Sequence, residues 1–527
     1  MRVGVGVAEA NLFSERYMDF LSSTILLCLC FISWFLIQTL HKRTRVRLPP
    51  GPKPFPLVGN LFELGDKPHI SLTNLSQHYG SIMSLKLGQI ITIVVSTPTM
   101  AKEILRIHDH LFCNRTIPDA LRVLIDNSLP WMPVSPRWRN LRKICTSQLF
   151  ATRVLDANQE NRRAKVQELI ASVNDSMVKG LAVDIGKAAF KTSLNLLSRT
   201  IFSVDLADDD SSSSNEITKE FKKNATGMLE EAGKLNLGDF FPVLKKIDPQ
   251  GRRRRFTNYY NKMLGLFESV ISQRLEFRKG DDYVTSNDML DTLIDLSEEE
   301  NVEDLKNSKV VEHLLSALFA AGTDTTSATL EWAMAELLHN PKCLSKAQEE
   351  MDQAIGKGKP IEESDIARLP YLQAIIKETF RLRPVVPLLL PRKAETDVEI
   401  GGYIVPKGAQ VLVNVWAMGR DPSIWDNPNS FMPERFLGLD NQIDVMGQNF
   451  ELLPFGGGRR ICPGLPLAMR MLHLMLGSLI NCFDWKLEDG VVPETMNMED
   501  KFGLTLQMAK PLIAQPLTAS HSSVHPS

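Results

Sequence analysis

The chain has 527 residues, 43% of them hydrophobic, and a formal net charge of -2 at pH 7. This length allows either three average domains or one large one. The near-neutral charge argues against a nucleic-acid surface, so no nucleic-acid partner is expected. The seven cysteines show neither metal-type spacing nor a framework of pairs. They argue against a zinc site or a disulfide-rich secreted fold and indicate a reducing compartment.

Residues 20–40 contain no charged side chain and are long enough to cross a bilayer as a helix of roughly 30 Å. A cleavable signal peptide is the alternative, but its apolar core is shorter and a small-residue cleavage site should follow it. Basic residues follow instead, within residues 41–47, which places the bulk of the chain in the cytosol. We therefore expect residues 1–19 to be a lumenal extension and residues 20–40 a transmembrane anchor. Met18 is an alternative start to Met1.

Residues 41–56 include the stretch LPPGPKPFP, which is too rich in proline for a helix or a central strand and predicts a basic, proline-rich hinge. Residues 82–96 alternate and are rich in Ile and Val, which predicts a β-hairpin. Residues 98–377 read mostly as helices separated by polar loops. The acidic, serine-rich loop 207–215 is expected to be exposed. The arginine run 252–255 is interpreted as a solvated face without a function.

A long helix is predicted over residues 307–338, because this stretch has one glycine, has no proline and is followed by Pro341. Its length of roughly 48 Å would cross a whole domain. Asp324 and Thr325 lie in its middle, although such side chains compete with the helix for backbone hydrogen bonds. Residues that break a local rule in this way point to a functional site. Bonding of the threonine to the preceding turn is the alternative.

The stretch FGGGRRICPG, residues 455–464, places Cys462 in a glycine-rich loop that precedes an apolar helical pattern. Glycines allow positive φ and a close approach of the backbone to a flat ligand. Cationic neighbours and a helix N-terminus lower the pKa of a cysteine toward the thiolate that binds metals. A single cysteine is otherwise most often an ordinary buried residue. The spacing F-x-x-G-x-R-x-C-x-G therefore carries the functional interpretation.

This spacing resembles the haem-binding signature of the cytochrome P450 superfamily, in which a cysteine thiolate is the axial ligand of haem b. The resemblance implies that Cys462 is the metal ligand, that Phe455 shields its sulfur, and that Arg460 pairs with a haem propionate. Three further residues are implied to bind the cofactor. They are Trp138 and Arg142, spaced four apart, and Arg392.

Two other motifs support the resemblance. AGTDTT in the long helix resembles the family's oxygen-activating segment, where Thr325 would hydrogen-bond to dioxygen and Asp324 would relay protons. Glu378 and Arg381 share one helix face. Together with Arg435 they resemble the family's structural Glu-Arg-Arg triad. Arg383 stands where many plant members have histidine.

The resemblance implies a mainly α fold with small β-sheets, the cytochrome P450 fold, preceded by a single N-terminal transmembrane helix. A haem-thiolate catalytic domain is expected over residues 57–516, facing the cytosol from the endoplasmic reticulum membrane, with a disordered tail at 517–527. Electrons must come from a partner, because no G-x-G-x-x-G loop or flavin domain is present. The implied partner is NADPH-cytochrome P450 reductase, docking near Arg459 and Arg470.

Four segments resemble plant microsomal enzymes of the geraniol 8-hydroxylase group: DFFPVLKKIDPQG, AGTDTTSATLEWAM, ELLPFGGGRRICPGLPLA and FGLTLQ. The resemblance implies an NADPH- and O2-dependent monooxygenase of terpenoid biosynthesis, and we expect 8-hydroxylation of a monoterpene alcohol such as geraniol. A hydroxylase of diterpenes or phenolics is one alternative. A haem-thiolate lyase or isomerase and a non-catalytic haem protein are alternatives of other classes.

The residues implied to line the substrate pocket are nearly all apolar, so binding would rest on burial of a small lipophilic molecule. They are Ala317, Ala321, Val386, Leu388, Leu389, Phe502 and Leu504, with the stretch 120–130. Segment 120–131 looks short for the loop over the distal side of such a pocket.

Overall fold

A computed structural model of the chain describes residues 22, 24–26, 29, 33, 47–206, 214–280, 283–286, 288–298, 305, 308–438, 443–488 and 490–519. The chain divides into two units, residues 1–48 and 49–527. The predicted extension and most of the predicted anchor lie outside the described residues, so the transmembrane helix stays a prediction. Over the part of the chain that is described, one helix is long and apolar enough to cross a membrane, Leu465–Cys482, and 78% of it is buried.

The second unit is mainly helical, as the resemblance implies. Its α-helices are α1 (Pro68–Tyr79), α2 (Pro98–Lys102), α3 (Pro136–Ile144), α4 (Thr152–Ala157), α5 (Gln159–Val178), α6 (Ile185–Phe202), α7 (Ser214–Gly233), α8 (Leu237–Phe240), α9 (Arg252–Phe277), α10 (Met289–Glu298), α11 (Ser308–His339), α12 (Pro341–Ala354), α13 (Pro370–Leu382), α14 (Val415–Met418) and α15 (Leu465–Cys482).

The strands are short and form small sheets. They are β1 (Ile82–Leu87), β2 (Ile90–Val95), β3 (Asn114–Arg115), β4 (Val183–Asp184), β5 (Arg392–Lys393), β6 (Val398–Ile400), β7 (Tyr403–Val405), β8 (Gln410–Val413), β9 (Phe483–Leu487), β10 (Asp500–Lys501), β11 (Gln507–Met508) and β12 (Ile513–Thr518). One sheet has the order β1-β2-β8-β5-β3, another β4-β12-β9, and two are hairpins, β6-β7 and β10-β11.

Helix α11 confirms the long helix predicted over residues 307–338 and runs through the main core. It packs against α6, α9 and α15, so most of its C-terminal half is buried on every side. In its middle, Asp324 is buried and Thr325 is partly buried.

The predicted β-hairpin is confirmed, with Ile82 opposite Val95 in the antiparallel pair β1-β2. The proline-rich segment lies along β1, because the backbone N-H of Ser84 donates to the Pro50 carbonyl at 2.8 Å. A Cβ atom at Gly51 would lie 1.8 Å from the Ser84 carbonyl oxygen, so only glycine allows this approach. The part of the predicted hinge from Pro49 onward thus belongs to the second unit.

Two expectations about the ends and surfaces of the domain were wrong in part. The predicted disordered tail begins inside strand β12, where Thr518 pairs with Phe483. The side chains there do not predict a strand, because the hydrogen bonds that pair strands come from the backbone.

The arginine run 252–255 opens α9 and is not simply solvated, since a side-chain nitrogen of Arg253 lies 3.2 Å from Asp119. Most of loop 207–215 lies outside the described residues.

Candidate active site

A cavity of about 280 Å3 lies between helix α11 and the glycine-rich loop that carries Cys462. Most of the predicted cofactor and pocket residues converge on it although they come from distant parts of the chain. Those that line it are Trp138, Arg142, Ala317, Ala321, Thr325, Val386, Leu389, Arg392, Phe455, Arg460 and Cys462.

The wall formed by α11 follows from helical spacing. Leu314, Leu318, Ala321 and Thr325 recur every three or four residues and line the cavity. The Thr325 hydroxyl donates to the Ala321 carbonyl at 2.6 Å, as the alternative reading of this threonine anticipated. Its oxygen retains lone pairs and faces the cavity, so it can also contact a bound molecule.

Asp324 is not among the residues that line the cavity. Its carboxylate accepts hydrogen bonds from the Thr505 hydroxyl and from Gln507 Nε2, the second at 2.8 Å. Burial raises the pKa of the Asp324 carboxyl, and these two hydrogen bonds oppose the rise. The segment FGLTLQ carries part of the resemblance, but no pattern in it predicts that Thr505 and Gln507 contact the long helix.

The Cys462 loop is shaped by its glycines. Gly456 and Gly458 have φ of 69° and 67°, and the Cys462 N-H donates to the Phe455 carbonyl at 3.0 Å. The Phe455 ring packs edge-on against Phe380, with ring centroids 5.3 Å apart. This packing fixes the turn that presents the sulfur to the cavity.

Contrary to expectation, the surroundings of Cys462 do not lower its pKa overall. Burial raises the pKa of the thiol, although the N-H groups of Gly464 and Leu465 at the start of α15 and the charge of Arg142 oppose the rise. A bound metal cation deprotonates a coordinating thiol directly. The site therefore suits a sulfur that becomes a thiolate when it binds a metal.

Four arginines line the cavity, and one of them, Arg115, was missed by sequence reasoning. Arg115 lies opposite Arg392 in the β3-β5 pair. It donates to the Leu390 carbonyl at 2.7 Å, and its buried Nε has no partner. Burial and the charges of Arg392 and Arg460 lower the pKa of Arg115. Only strand pairing brings it to the cavity, and no motif in the sequence marked it.

Two of the other arginines, Arg392 and Arg460, donate hydrogen bonds to backbone carbonyl groups. Arg460 donates to four carbonyl oxygens, among them Cys113 at 2.8 Å, and its guanidinium lies 4.7 Å from the Trp138 ring centroid. Trp138 and Arg142 are presented by α3, whose first turn is capped by Ser135. Burial lowers the pKa of Arg392 and of Arg460 to about 10. Buried guanidiniums bind carboxylates in fork geometry, so this cluster fits the haem propionates.

Three predicted pocket residues do not line the cavity. Leu388 and Phe502 belong to a separate core beneath β1 and β2, where Phe502 stacks on His69. Leu504 packs against the main core. Within the stretch 120–130, the cavity is lined by Leu129 and Pro130. Leu506 lies between strands β10 and β11, and its backbone N-H donates to the carbonyl of Val385 in the cavity wall. The side chains of Phe502 and Leu504, in the same segment, do not line the cavity.

The structure brings the three predicted triad residues into direct contact. Glu378 bonds to Arg381 at 2.7 and 2.8 Å and to Arg435 at 3.1 Å. Arg383, which replaces the histidine of many plant members, bonds to Glu336 at 2.7 Å and lies over the Trp332 ring. The substitution is therefore accommodated inside the fold.

The two arginines predicted to dock a reductase are both engaged with this chain's own carboxylates. Arg459 bonds to Asp109. Arg470 bonds to Asp156 at 2.7 Å and to Glu363 at 2.8 Å. Both side chains are therefore ion-paired within this chain, and the docking of a reductase near them stays a prediction.

Comparison with known proteins agrees with this site. The cytochrome P450 family model matches residues 49–513. Geraniol 8-hydroxylase of Catharanthus roseus is 52% identical over 95% of this chain and 100% of its own length. Drimenol monooxygenase of Persicaria hydropiper is 48% identical over 95% of this chain and 97% of its own length.

A solved zebra fish cytochrome P450 with progesterone has the same fold. It superposes with a TM-score of 0.72 at 26% identity and covers 85% of this chain and 99% of that chain. With half of its residues shared along nearly its whole length, this chain belongs to the cytochrome P450 family of monooxygenases, whose cofactor is haem held by a cysteine thiolate.

Proposed function

We propose that this enzyme hydroxylates a small terpenoid, and specifically a monoterpene alcohol such as geraniol at carbon 8, with electrons from NADPH-cytochrome P450 reductase. The observation that carries the proposal is an apolar cavity wall that faces Cys462 and is made by α11 and by Val385, Val386, Leu389 and Leu390. The relative named geraniol 8-hydroxylase supports the choice of substrate. Drimenol monooxygenase supports a second candidate, a larger terpenoid alcohol.

In this proposal Cys462 is the haem ligand, because it is the cysteine that lines the cavity among the described residues. Arg115, Arg142, Arg392 and Arg460 would hold the propionates. Bound haem supplies the activation of O2 that no side chain can perform.

The chain's own residues bind the substrate, exclude water and handle protons. Ala317 and Ala321 leave room beside the helix, and their apolar neighbours bury substrate surface at about 25 cal/mol per Å2. Thr325 places a hydroxyl in the cavity. Asp324, one residue earlier, is a buried acid whose pKa is raised, and it would serve as the proton reservoir behind that hydroxyl.

The first experiment combines the protein with reductase, NADPH and geraniol, and records the reduced CO difference spectrum of the same sample. We expect a thiolate-type Soret band and 8-hydroxygeraniol. Cys462→Ser should lose both, whereas Cys343→Ser, a cysteine outside the cavity, should keep both. The band without product would overturn geraniol as substrate and direct the assay to drimenol. Absence of the band in the unaltered protein would overturn the role of Cys462.

We also propose that the enzyme is a single-pass protein of the endoplasmic reticulum membrane with its catalytic domain in the cytosol. Two apolar segments of the second unit support a membrane-facing surface: Phe62 is 75% exposed and Val243 is 72% exposed. The segments meet at the β1-β2 turn, where the Gln89 N-H donates to the Phe240 carbonyl at 2.8 Å. Large exposed apolar patches mark interaction surfaces.

A further inference from the structure

Asp109 is a buried carboxylate that lies directly against the Cys462 loop. It starts the short turn Asp109–Leu111. Its Oδ2 accepts hydrogen bonds from the backbone N-H of Arg459, at 3.3 Å, and from the Arg459 guanidinium. Its Oδ1 lies 3.5 Å from Nη1 of Arg392. One side chain thus contacts both the loop and the cavity wall.

Arg392 and Asp109 also lie against the two loop residues before Arg459, which are Gly457 and Gly458. Arg392 Nη2 donates to the Gly457 carbonyl at 3.1 Å. A Cβ atom at Gly458 would lie 2.0 Å from the Leu105 carbonyl oxygen and 3.0 Å from Asp109 Oδ1. The backbone from Gly457 to Arg459 therefore lies pressed against the Asp109 turn, three residues before Cys462.

Asp109 is also the acidic residue that pairs with an arginine of the cavity. Among the described residues, only its carboxylate lies within ion-pair distance of an arginine that lines the cavity, and that arginine is Arg392. The contact between Asp109 and the Arg459 guanidinium is a charge-assisted hydrogen bond, a kind roughly twice as strong as a neutral one. The contact with Arg392 is an ion pair without a hydrogen bond. The charge of Asp109 therefore couples the position of the loop to that of the cavity wall.

We propose that Asp109 is a positioning residue for the thiolate loop, which it holds through Arg459 while it orients Arg392 toward the cavity. The proposal rests on Cys462 being the haem ligand. It also gives Arg459, predicted to dock a redox partner, a second role, because its contact with Asp109 holds the loop.

The test uses the haem-loaded protein and Asp109→Asn, which keeps the shape of the side chain and removes its charge. We expect the thiolate-type Soret band of the reduced CO complex to be lost about ten-fold faster on warming, the effect of one charge-assisted hydrogen bond. Backbone hydrogen exchange over residues 456–460 should rise several-fold. The midpoint of global unfolding should change little, which separates positioning from general stability.

Asp156→Asn is the matched control, because Asp156 also pairs with an arginine, Arg470, but on α15 and not on the loop. It should leave the rate of band loss within about two-fold of the unaltered protein, a change comparable with the small worth of an exposed ion pair. Arg459→Gln removes the other half of the contact at a partly exposed side chain. In the double variant with Asp109→Asn, the loss should be no faster than in the worse single variant.

The outcomes are distinguishable. If the unaltered protein shows no thiolate band, the assignment of Cys462 fails, and this proposal fails with it. If the band is present but Asp109→Asn and Arg459→Gln lose it at the unaltered rate, the role of Asp109 alone is refuted. Additive effects in the double variant, or a parallel fall of the global unfolding midpoint, would refute it as well.

Discussion

Glu378 is fully buried, and its two oxygens accept hydrogen bonds from Arg381, from Arg435 and from the backbone N-H of Met432. Arg381 in turn donates to carbonyl groups around residues 419–430. A buried charge is tolerated only when its surroundings satisfy it in this way. The triad therefore joins α13 to the segment that leads toward the Cys462 loop.

Glu378→Gln is expected to lower the free energy of unfolding by about 3 to 5 kcal/mol, because it leaves two buried guanidiniums without their charged partner. Urea denaturation followed by circular dichroism measures the change. Asp175→Asn is the control, since Asp175 forms an exposed pair with Lys179 one helical turn away. That variant should cost less than about 0.5 kcal/mol. Equal losses in both variants would contradict the structural role of the triad.

At the scale of one element, α11 carries a second buried acid that the proposed reaction does not use. Glu331 lies two turns after Asp324, and its Oε1 accepts a hydrogen bond from the backbone N-H of Leu512 at 3.0 Å. A Cβ atom at Gly186 would lie 2.7 Å from the same oxygen, so the backbone of α6 packs directly against the Glu331 carboxyl. Burial raises the pKa of Glu331 to about 7.

This pKa makes stability depend on pH in a defined direction. The folded-state pKa is above that of the unfolded chain, so the contribution of Glu331 is fully present below about pH 4.5 and is lost as pH rises through about 7. Relative to Glu331→Gln, the unaltered protein should lose about 2.5 kcal/mol of unfolding free energy between pH 5 and pH 8. Urea denaturation of both proteins at the two pH values measures this. A difference that does not vary with pH would show that Glu331 does not titrate in this range.

At the scale of the whole molecule, the chain divides into residues 1–48 and the second unit. The second unit contains the haem site and the exposed apolar surface around Phe62 and Val243. The proposal of a membrane enzyme therefore assigns anchoring to the first unit and surface contact to the second.

Deletion of residues 1–46 is expected to leave the thiolate-type spectrum unchanged, because the unit that starts at Pro49 contains every residue of the cavity. The shortened protein should still float with anionic lipid vesicles, though less than the full chain. Adding Phe62→Asp and Val243→Asp should lower this residual binding several-fold, since both apolar side chains would leave the bilayer surface.

Phe277→Asp is the control for that experiment. Phe277 is 76% exposed but ends α9, a helix of roughly 39 Å that begins beside the apolar segments. Its substitution should leave flotation unchanged. Equal losses from all three substitutions would show that the surface is not specific.

Local sequence was sufficient to predict the features that depend on backbone geometry and periodicity. The β1-β2 hairpin follows from alternating side chains rich in Ile and Val. Helix α11 follows from a long stretch without proline, and the turn at Cys462 follows from its glycines. These features need only neighbouring residues, so their patterns can be read in the chain itself.

Long-range contacts account for what could not be predicted. Arg115 reaches the cavity through pairing with Arg392, and Asp324 is held by Thr505, nearly two hundred positions away. Leu388 and Phe502 pack in another core for the same reason. No sequence motif marks Asp109, the residue that we propose positions the Cys462 loop. Which side chains face the haem cavity depends on how distant segments pack, because an apolar or charged residue alone does not specify its partner.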